Sequence, residues 1–178
     1  IDDLDKKALN VLKEKYAEKQ QNSNFLTLSD EQILVDLDLL QNNKLTYAAL
    51  ILLGKREKIN EFLPQCAINL EYRENTDSIE FDKRNFFRDP YFLLIDELWK
   101  IIDVRNKFEH IQIDAQIIDI HQLNKNIIRE AINNAITHRD YSKNSEIIIK
   151  QSNNEFSIYS HGGFPLGVTA ENILTIPS

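Results

Sequence analysis

The segment ending at His138 is the most informative part of the chain, because both its apolar and its polar residues repeat with the spacing of a helix. At about 100° per residue, its apolar residues fall within one half of a helix that starts near Asn124. These residues are Ile127, Ile128, Ala131, Ile132, Ala135 and Ile136. We predict that this half of the helix is buried.

Three polar residues at intervals of four follow one edge of that half. Glu130, Asn134 and His138 are offset by about 40° and 6 Å per step, so all three could face one small ligand. Glu130 is expected on the solvent side of the edge, Asn134 nearly on it and His138 just inside. Spacing alone favours an ordinary amphipathic helix with a polar rim.

The sequence around these three residues favours a functional interpretation over an ordinary amphipathic helix. Residues 129–142 read REAINNAITHRDYS and resemble the N-box of the ATP-binding domain in bacterial transcriptional regulators of the RecG-like or Schlafen/AlbA type. That domain belongs to the GHKL superfamily (gyrase, Hsp90, histidine kinase, MutL). Residues 155–165 resemble its strand and glycine turn, and residues 44–55 resemble an upstream segment of the same regulators.

The resemblance implies a site for ATP and Mg²⁺. Asn134 would give a carboxamide oxygen to Mg²⁺, which keeps several waters and takes few protein ligands. Glu130 would be the catalytic residue that orients or deprotonates the attacking water. For Glu130 the competing interpretation is a carboxylate stabilised by the helix dipole, and for His138 helix capping is favoured over phosphate contact.

The glycine turn would complete the cofactor site. Gly162 and Gly163 would let the backbone pass close to a purine or ribose. Ser160 stands where the superfamily has an aspartate that accepts from the adenine amino group, which puts adenine specificity in question. The intact protein is expected to be at most a slow ATPase, and this fragment is expected to be inactive.

Composition limits the other partners. The chain has 21 basic and 28 acidic residues, a net charge of −7 and a pI of about 5.1, so DNA contact is expected only through domains outside it. Cys66 is the only cysteine, and no apolar run approaches the roughly 20 residues of a membrane span. A cytoplasmic protein without a membrane partner is expected. The lack of methionine suggests an excised fragment.

The predicted fold class is α+β, with a helical N-terminal region followed by a partial GHKL (Bergerat-type) sandwich with a mixed or antiparallel sheet. We expect a helical hairpin region at 1–66 and the first part of the ATP-binding domain at 67–178. Helices are predicted at 2–21, 29–40, 46–53, 91–104, 124–138 and 170–174, and strands at 66–73, 78–82, 145–151 and 156–160, with two more within 108–120.

Two other functions stay open. The chain could be a non-catalytic regulatory or dimerisation module, acting as a homodimer, that keeps a degenerate ATPase fold. It could also bind DNA directly through the helix pair at 29–54, which ranks last because that pair carries almost no cations.

Overall fold

A computed structural model describes residues 1–75, 80–113, 116–163, 167–169 and 171–172. These residues form six α-helices, a short 3₁₀ helix and eight strands, so the predicted α+β fold class is confirmed. The chain divides into two compact units. One comprises Ile1–Cys66 with Phe87–Asn106, and the other Ala67–Phe86 with Lys107–Ser178. The two functional domains predicted at 1–66 and 67–178 stay a prediction.

The first unit is mostly helical. Its elements are α1 (Lys6–Gln20), a 3₁₀ helix (Ser23–Thr27), α2 (Asp30–Asp36), β1 (Leu40–Gln41), β2 (Lys44–Leu45), α3 (Tyr47–Leu53), α4 (Arg56–Phe62) and α5 (Tyr91–Asp103). Aliphatic side chains from these elements form one core, including Leu9, Leu34 and Leu53. The sequence pattern did not predict α4.

The predicted helical hairpin is wrong in one respect. Helix α2 ends at Asp36 instead of continuing to Leu40, and the two-stranded hairpin β1–β2 separates it from α3. Asn42 and Asn43 turn the chain with φ of 51° and 58°, a left-handed conformation that asparagine tolerates better than most residues.

Side-chain caps set the starts of several helices. The predicted cap Ser29 accepts a hydrogen bond from the Gln32 backbone N–H at 3.1 Å. Asp5 accepts from the Lys7 and Ala8 N–H groups, so α1 starts at Lys6 and not at Asp2. Capping oxygens satisfy N–H groups that have no partner within the helix.

The second unit combines one helix with two sheets. Its elements are β3 (Ile68–Arg73), β4 (Lys83–Phe87, whose last residue falls in the first unit), β5 (Phe108–Ile113), β6 (Gln116–His121), α6 (Lys125–His138), β7 (Ile147–Ser152) and β8 (Phe156–Tyr159). The main sheet has the order β4-β3-β7-β8, with β3 parallel and β8 antiparallel to β7. Strands β5 and β6 form a separate antiparallel pair, which confirms the two strands predicted within 108–120.

One strand prediction is wrong. Of the strand expected at 78–82, residues 80–82 are described and lie before β4 (Lys83–Phe87). Asp82 holds them outside the strand: its carboxylate accepts from the Glu74 N–H at 2.6 Å and its own N–H donates to the Tyr72 carbonyl. Residues 76–79 lie outside the described residues. So do most of those in the helix predicted at 170–174.

The two faces of the main sheet differ in chemistry. In-register pairing puts Ile68 beside Ile147 and Leu70 beside Ile149, and all four side chains are buried. The alternate residues point to the opposite face and are mostly polar: Asn69, Glu71, Arg73, Lys150 and Ser152. None of the helices in the described ranges is long and apolar enough to cross a bilayer.

Candidate functional site

Helix α6 buries one face and exposes the predicted polar stripe. Ile128, Ile132 and Ala135 are buried, whereas Glu130, Asn134 and His138 are all exposed. None of these three side chains makes a hydrogen bond or ion pair with another described residue. The helix therefore presents a carboxylate, a carboxamide and an imidazole that are all available to a ligand.

Two positions on α6 differ from the predicted pattern. Ile127, assigned to the buried half, is 68% exposed, whereas the adjacent Ile128 is 6% exposed. At about 100° per residue, Ile127 lies about 140° around the helix from the buried Ile132, on the side of the polar stripe. His138, expected just inside the edge, is exposed. The helix ends at this residue, and Arg139 continues the chain in an extended conformation with φ −67° and ψ 150°, so no further turn covers the imidazole.

The glycine turn is fastened to the C-terminal end of α6. The His161 carbonyl accepts a hydrogen bond from the Asp140 N–H at 2.5 Å. A Cβ atom on Gly162 would overlap the His138 carbonyl oxygen and lie 3.0 Å from the Arg139 Cα. The backbone of Gly162 therefore lies one helical turn beyond Asn134, and only glycine fits there.

The other two residues of the predicted turn are less constrained. No atom lies within 4 Å of the position that a Gly163 Cβ would occupy. Ser160, immediately after β8, is exposed. Of the predicted cofactor residues, Gly162 and His138 are in contact with each other. Ser160 is exposed, and Gly163 has space for a side chain.

The residues after the helix have a structural role that the sequence did not reveal. Arg139 is only 5% exposed, and its guanidinium donates to the Ser145 carbonyl and lies 4.8 Å from the centre of the Tyr141 ring. The Tyr141 hydroxyl in turn donates to the Ile136 carbonyl at 2.7 Å. These contacts hold the end of α6 against the loop that leads into β7.

Asp140 organises the same loop. Its carboxylate accepts from the side-chain hydroxyl of Ser142 at 2.6 Å and from the Ser142 N–H at 2.9 Å. These two hydrogen bonds, assisted by the charge of Lys143, lower the pKa of Asp140 below its ordinary value. The carboxylate is therefore ionised at neutral pH and stabilises the turn in that form.

Known proteins resemble different parts of this chain. A family model described as Domain of unknown function (DUF8451) matches residues 1–69. No curated protein matches the chain. Among solved structures, the crystal structure of the DIP2311 protein from Corynebacterium diphtheriae has a TM-score of 0.75 and 23% identity, over 97% of this chain and 33% of that chain. This similarity shows the fold, and this chain spans about a third of that protein's length.

Proposed function

We propose that this chain is the nucleotide-binding part of a cytoplasmic bacterial transcriptional regulator, with a GHKL-like site for Mg²⁺-ATP on α6. The observation that carries the proposal is the stripe of Glu130, Asn134 and His138, exposed and without partners among the described residues. The contact of Gly162 with the end of the same helix supports it, because a nucleotide site needs both polar ligands and a close backbone approach.

The residues on α6 fit a magnesium ion held mainly by phosphates. The exposed Asn134 carboxamide offers one neutral oxygen ligand, and Mg²⁺ is commonly bound by one or two protein groups together with substrate phosphates and waters. In the described ranges, no group of three or more His, Cys, Asp and Glu side chains is arranged to hold a metal ion. A metal at this site would therefore depend on the nucleotide.

Glu130 has the properties of a residue that could act on water. It lies one turn before Asn134, is exposed, and has no cationic partner among the described residues. When Mg²⁺-ATP is bound, the metal would neutralise phosphate charge, and Glu130 would orient a water or accept its proton. His138, at the last turn, would meet phosphate or cap the helix.

Ser160 limits how selective for adenine the proposed nucleotide site can be. A serine hydroxyl is a less directed acceptor for the adenine amino group than a carboxylate. The proposal is therefore binding of a purine nucleoside triphosphate, with selectivity for adenine weaker than in relatives that carry the aspartate. DNA binding is assigned to domains outside this chain.

The test is Mg²⁺-dependent ATP binding by Asn134→Ala, measured by calorimetry. Loss of the protein oxygen proposed as the metal ligand should weaken binding by about tenfold or more. Asn126→Ala is the matched control: it removes an exposed carboxamide from the same helix, about 12 Å away along the axis. Equal affinities of Asn134→Ala and the parent chain would contradict the metal role.

A non-catalytic dimerisation module is the second candidate. Exposed apolar side chains favour it, since apolar surface marks interaction sites: Ile118 and Ile120, which lie on one face of β6, are 42% and 49% exposed, and Ile127 is 68% exposed. Absence of binding heat with any nucleotide, together with a mass that rises with concentration in sedimentation experiments, would favour this function over the first.

A further inference from the structure

The polar face of the main sheet contains a small cavity. On this face Lys150 is paired in register with Glu71 on one side and Ser157 on the other, and Ser152 is paired with Arg73. Side chains of paired residues lie roughly 5 Å apart at Cβ, so these groups form one cluster. Its position opposite Ile147 and Ile149 places it on the face of the sheet that is not apolar.

The cavity has a volume of about 150 Å³. It is lined by Arg73, Lys150, Gln151, Ser152, Glu155, Ser157 and Tyr159. A single water takes up about 30 Å³ in the liquid, so the space admits a group of several non-hydrogen atoms. Its size suits a small ligand, and the charged and hydroxyl groups among its lining residues can bind a polar one.

Charged side chains lie both in the cavity lining and on the strands beside it. The Glu71 carboxylate is shared between Arg73 at 3.2 Å and Arg84 at 3.7 Å, and Arg84 also donates to the Asn69 side-chain oxygen at 2.8 Å. Two arginines thus already neutralise the carboxylate that lies beside Lys150. The side chains that line the cavity itself include two basic groups, Arg73 and Lys150, and one acidic group, Glu155.

Lys150 is the basic side chain of the cavity that can still form an ion pair. Among the described residues its ammonium group makes no ion pair, and it lies 4.9 Å from the centre of the Tyr159 ring. A lysine stacked on an aromatic ring is held in place by the ring quadrupole while all three N–H donors remain available. Glu155, the one acidic residue in the lining, is exposed.

A hydroxyl donor completes the lining. The Ser157 oxygen is buried and makes no hydrogen bond to a described residue. Buried polar atoms are nearly always hydrogen-bonded in folded proteins, so the hydroxyl beside Lys150 has hydrogen-bonding capacity for a group in the cavity. Ser157 can donate to that group from the strand directly paired with Lys150.

We propose that this cavity binds a small tetrahedral oxyanion of phosphate size. Lys150 would supply the charge, Ser157 would donate a hydrogen bond, and Arg73, paired with Glu71, would border the ligand. A cation is disfavoured by the two basic side chains, and a neutral ligand would leave the Lys150 charge uncompensated. The site is distinct from the α6 stripe and does not rest on the proposed nucleotide function.

The experiment titrates inorganic phosphate into the whole chain at constant ionic strength, with amide chemical shifts as the readout. Saturable shifts are expected at residues 150–159, with sulfate competing and chloride not. Lys150→Ala should weaken phosphate binding by about tenfold or more, because a charge-assisted hydrogen bond is lost. Lys143→Ala, an exposed lysine four residues before β7, should bind phosphate like the parent chain.

Two further variants keep the test decisive. Ser157→Ala leaves every charge in place and should weaken phosphate binding by a smaller factor, whether or not Lys150→Ala folds. Asn134→Ala should leave phosphate binding unchanged, which separates this site from the nucleotide site. The proposal is overturned if phosphate does not saturate, if chloride reproduces the shifts, if the Lys150 and Ser157 variants bind like the parent, or if Asn134→Ala abolishes binding.

Discussion

At the scale of single residues, the two adjacent glycines after β8 have different roles. Gly162 lies directly against the carbonyl of His138, whereas Gly163 faces open space. Gly162 is therefore needed for packing between the turn and the end of α6. Gly163 is not needed for that contact, and any role it has must involve a ligand or a conformation of the turn.

We predict that Gly162→Ala destabilises the chain by about 1–3 kcal/mol, because the added methyl group must displace backbone at the end of α6. Gly163→Ala is the matched control and should change the free energy of unfolding by less than about 1 kcal/mol. Urea unfolding followed by circular dichroism measures both. Equal losses in the two variants would show that the turn does not pack on the helix as described.

At the scale of elements, α6 connects the core of the second unit to the candidate site. Its buried face includes Ile132, which is 1% exposed, while Ile127 on the same helix is 68% exposed. The helical periodicity assigned both residues to the buried half. The structure distinguishes them, because Ile127 lies about 140° around the helix from Ile132, whereas Ile128, in the same turn as Ile127, is buried.

We predict that Ile132→Ala lowers the free energy of unfolding by about 2–5 kcal/mol, since it leaves a cavity in a packed interior. Ile127→Ala, the same substitution at an exposed position, should change it by less than about 0.5 kcal/mol. Chemical denaturation of the two variants and the parent chain makes the comparison. A large loss in Ile127→Ala would instead indicate that this residue is covered by another part of the protein or by a second copy.

At the scale of the whole molecule, the acidic balance opposes non-specific contact with DNA. The net charge is −7, and the segment 29–54 contains four acidic residues and a single lysine. Its helix α3 also buries Ala49, Leu50 and Leu53 and therefore serves the core of the first unit. Without clustered cations there is little counterion release to drive association with a duplex.

We predict that this chain does not bind random-sequence duplex DNA at micromolar concentrations and physiological salt, as measured by fluorescence anisotropy. Lowering the salt should produce at most a weak signal that does not saturate. A saturable signal that falls steeply with salt would revive the DNA-binding role of the segment 29–54.

Much of the local structure could be predicted from short stretches of sequence. The cap at Ser29, the helix ending at His138 and the hairpin after β7 follow from capping chemistry, apolar periodicity and turn residues. The β1–β2 hairpin and the position of β4 could not be predicted in this way. The turn at Asn42 and Asn43 pairs two strands that are too short to show a pattern of their own. The hydrogen bond between Asp82 and Glu74 shifts the start of β4 to Lys83.

The sequence predicted which residues belong to the candidate site, but not their exposure or the contacts that hold the helix end. The spacing of Glu130, Asn134 and His138 placed them on one side of a helix, and the structure adds that all three are exposed. The roles of Arg139 and Tyr141 in holding the helix end were not predictable. Their partners, the Ser145 and Ile136 carbonyls, are backbone atoms that carry no sequence signal.

The sequence alone determined most of the longer helices and strands, among them α1, α5, α6, β3 and β7, because their patterns depend on neighbours a few residues apart. Only the tertiary structure decided that Gly162 packs on the end of α6, that Ile127 stays exposed, and that Lys150 and Ser157 share a cavity. These relations join residues that are distant in the chain or on different strands. They depend on strand order and layer packing, which local patterns do not encode.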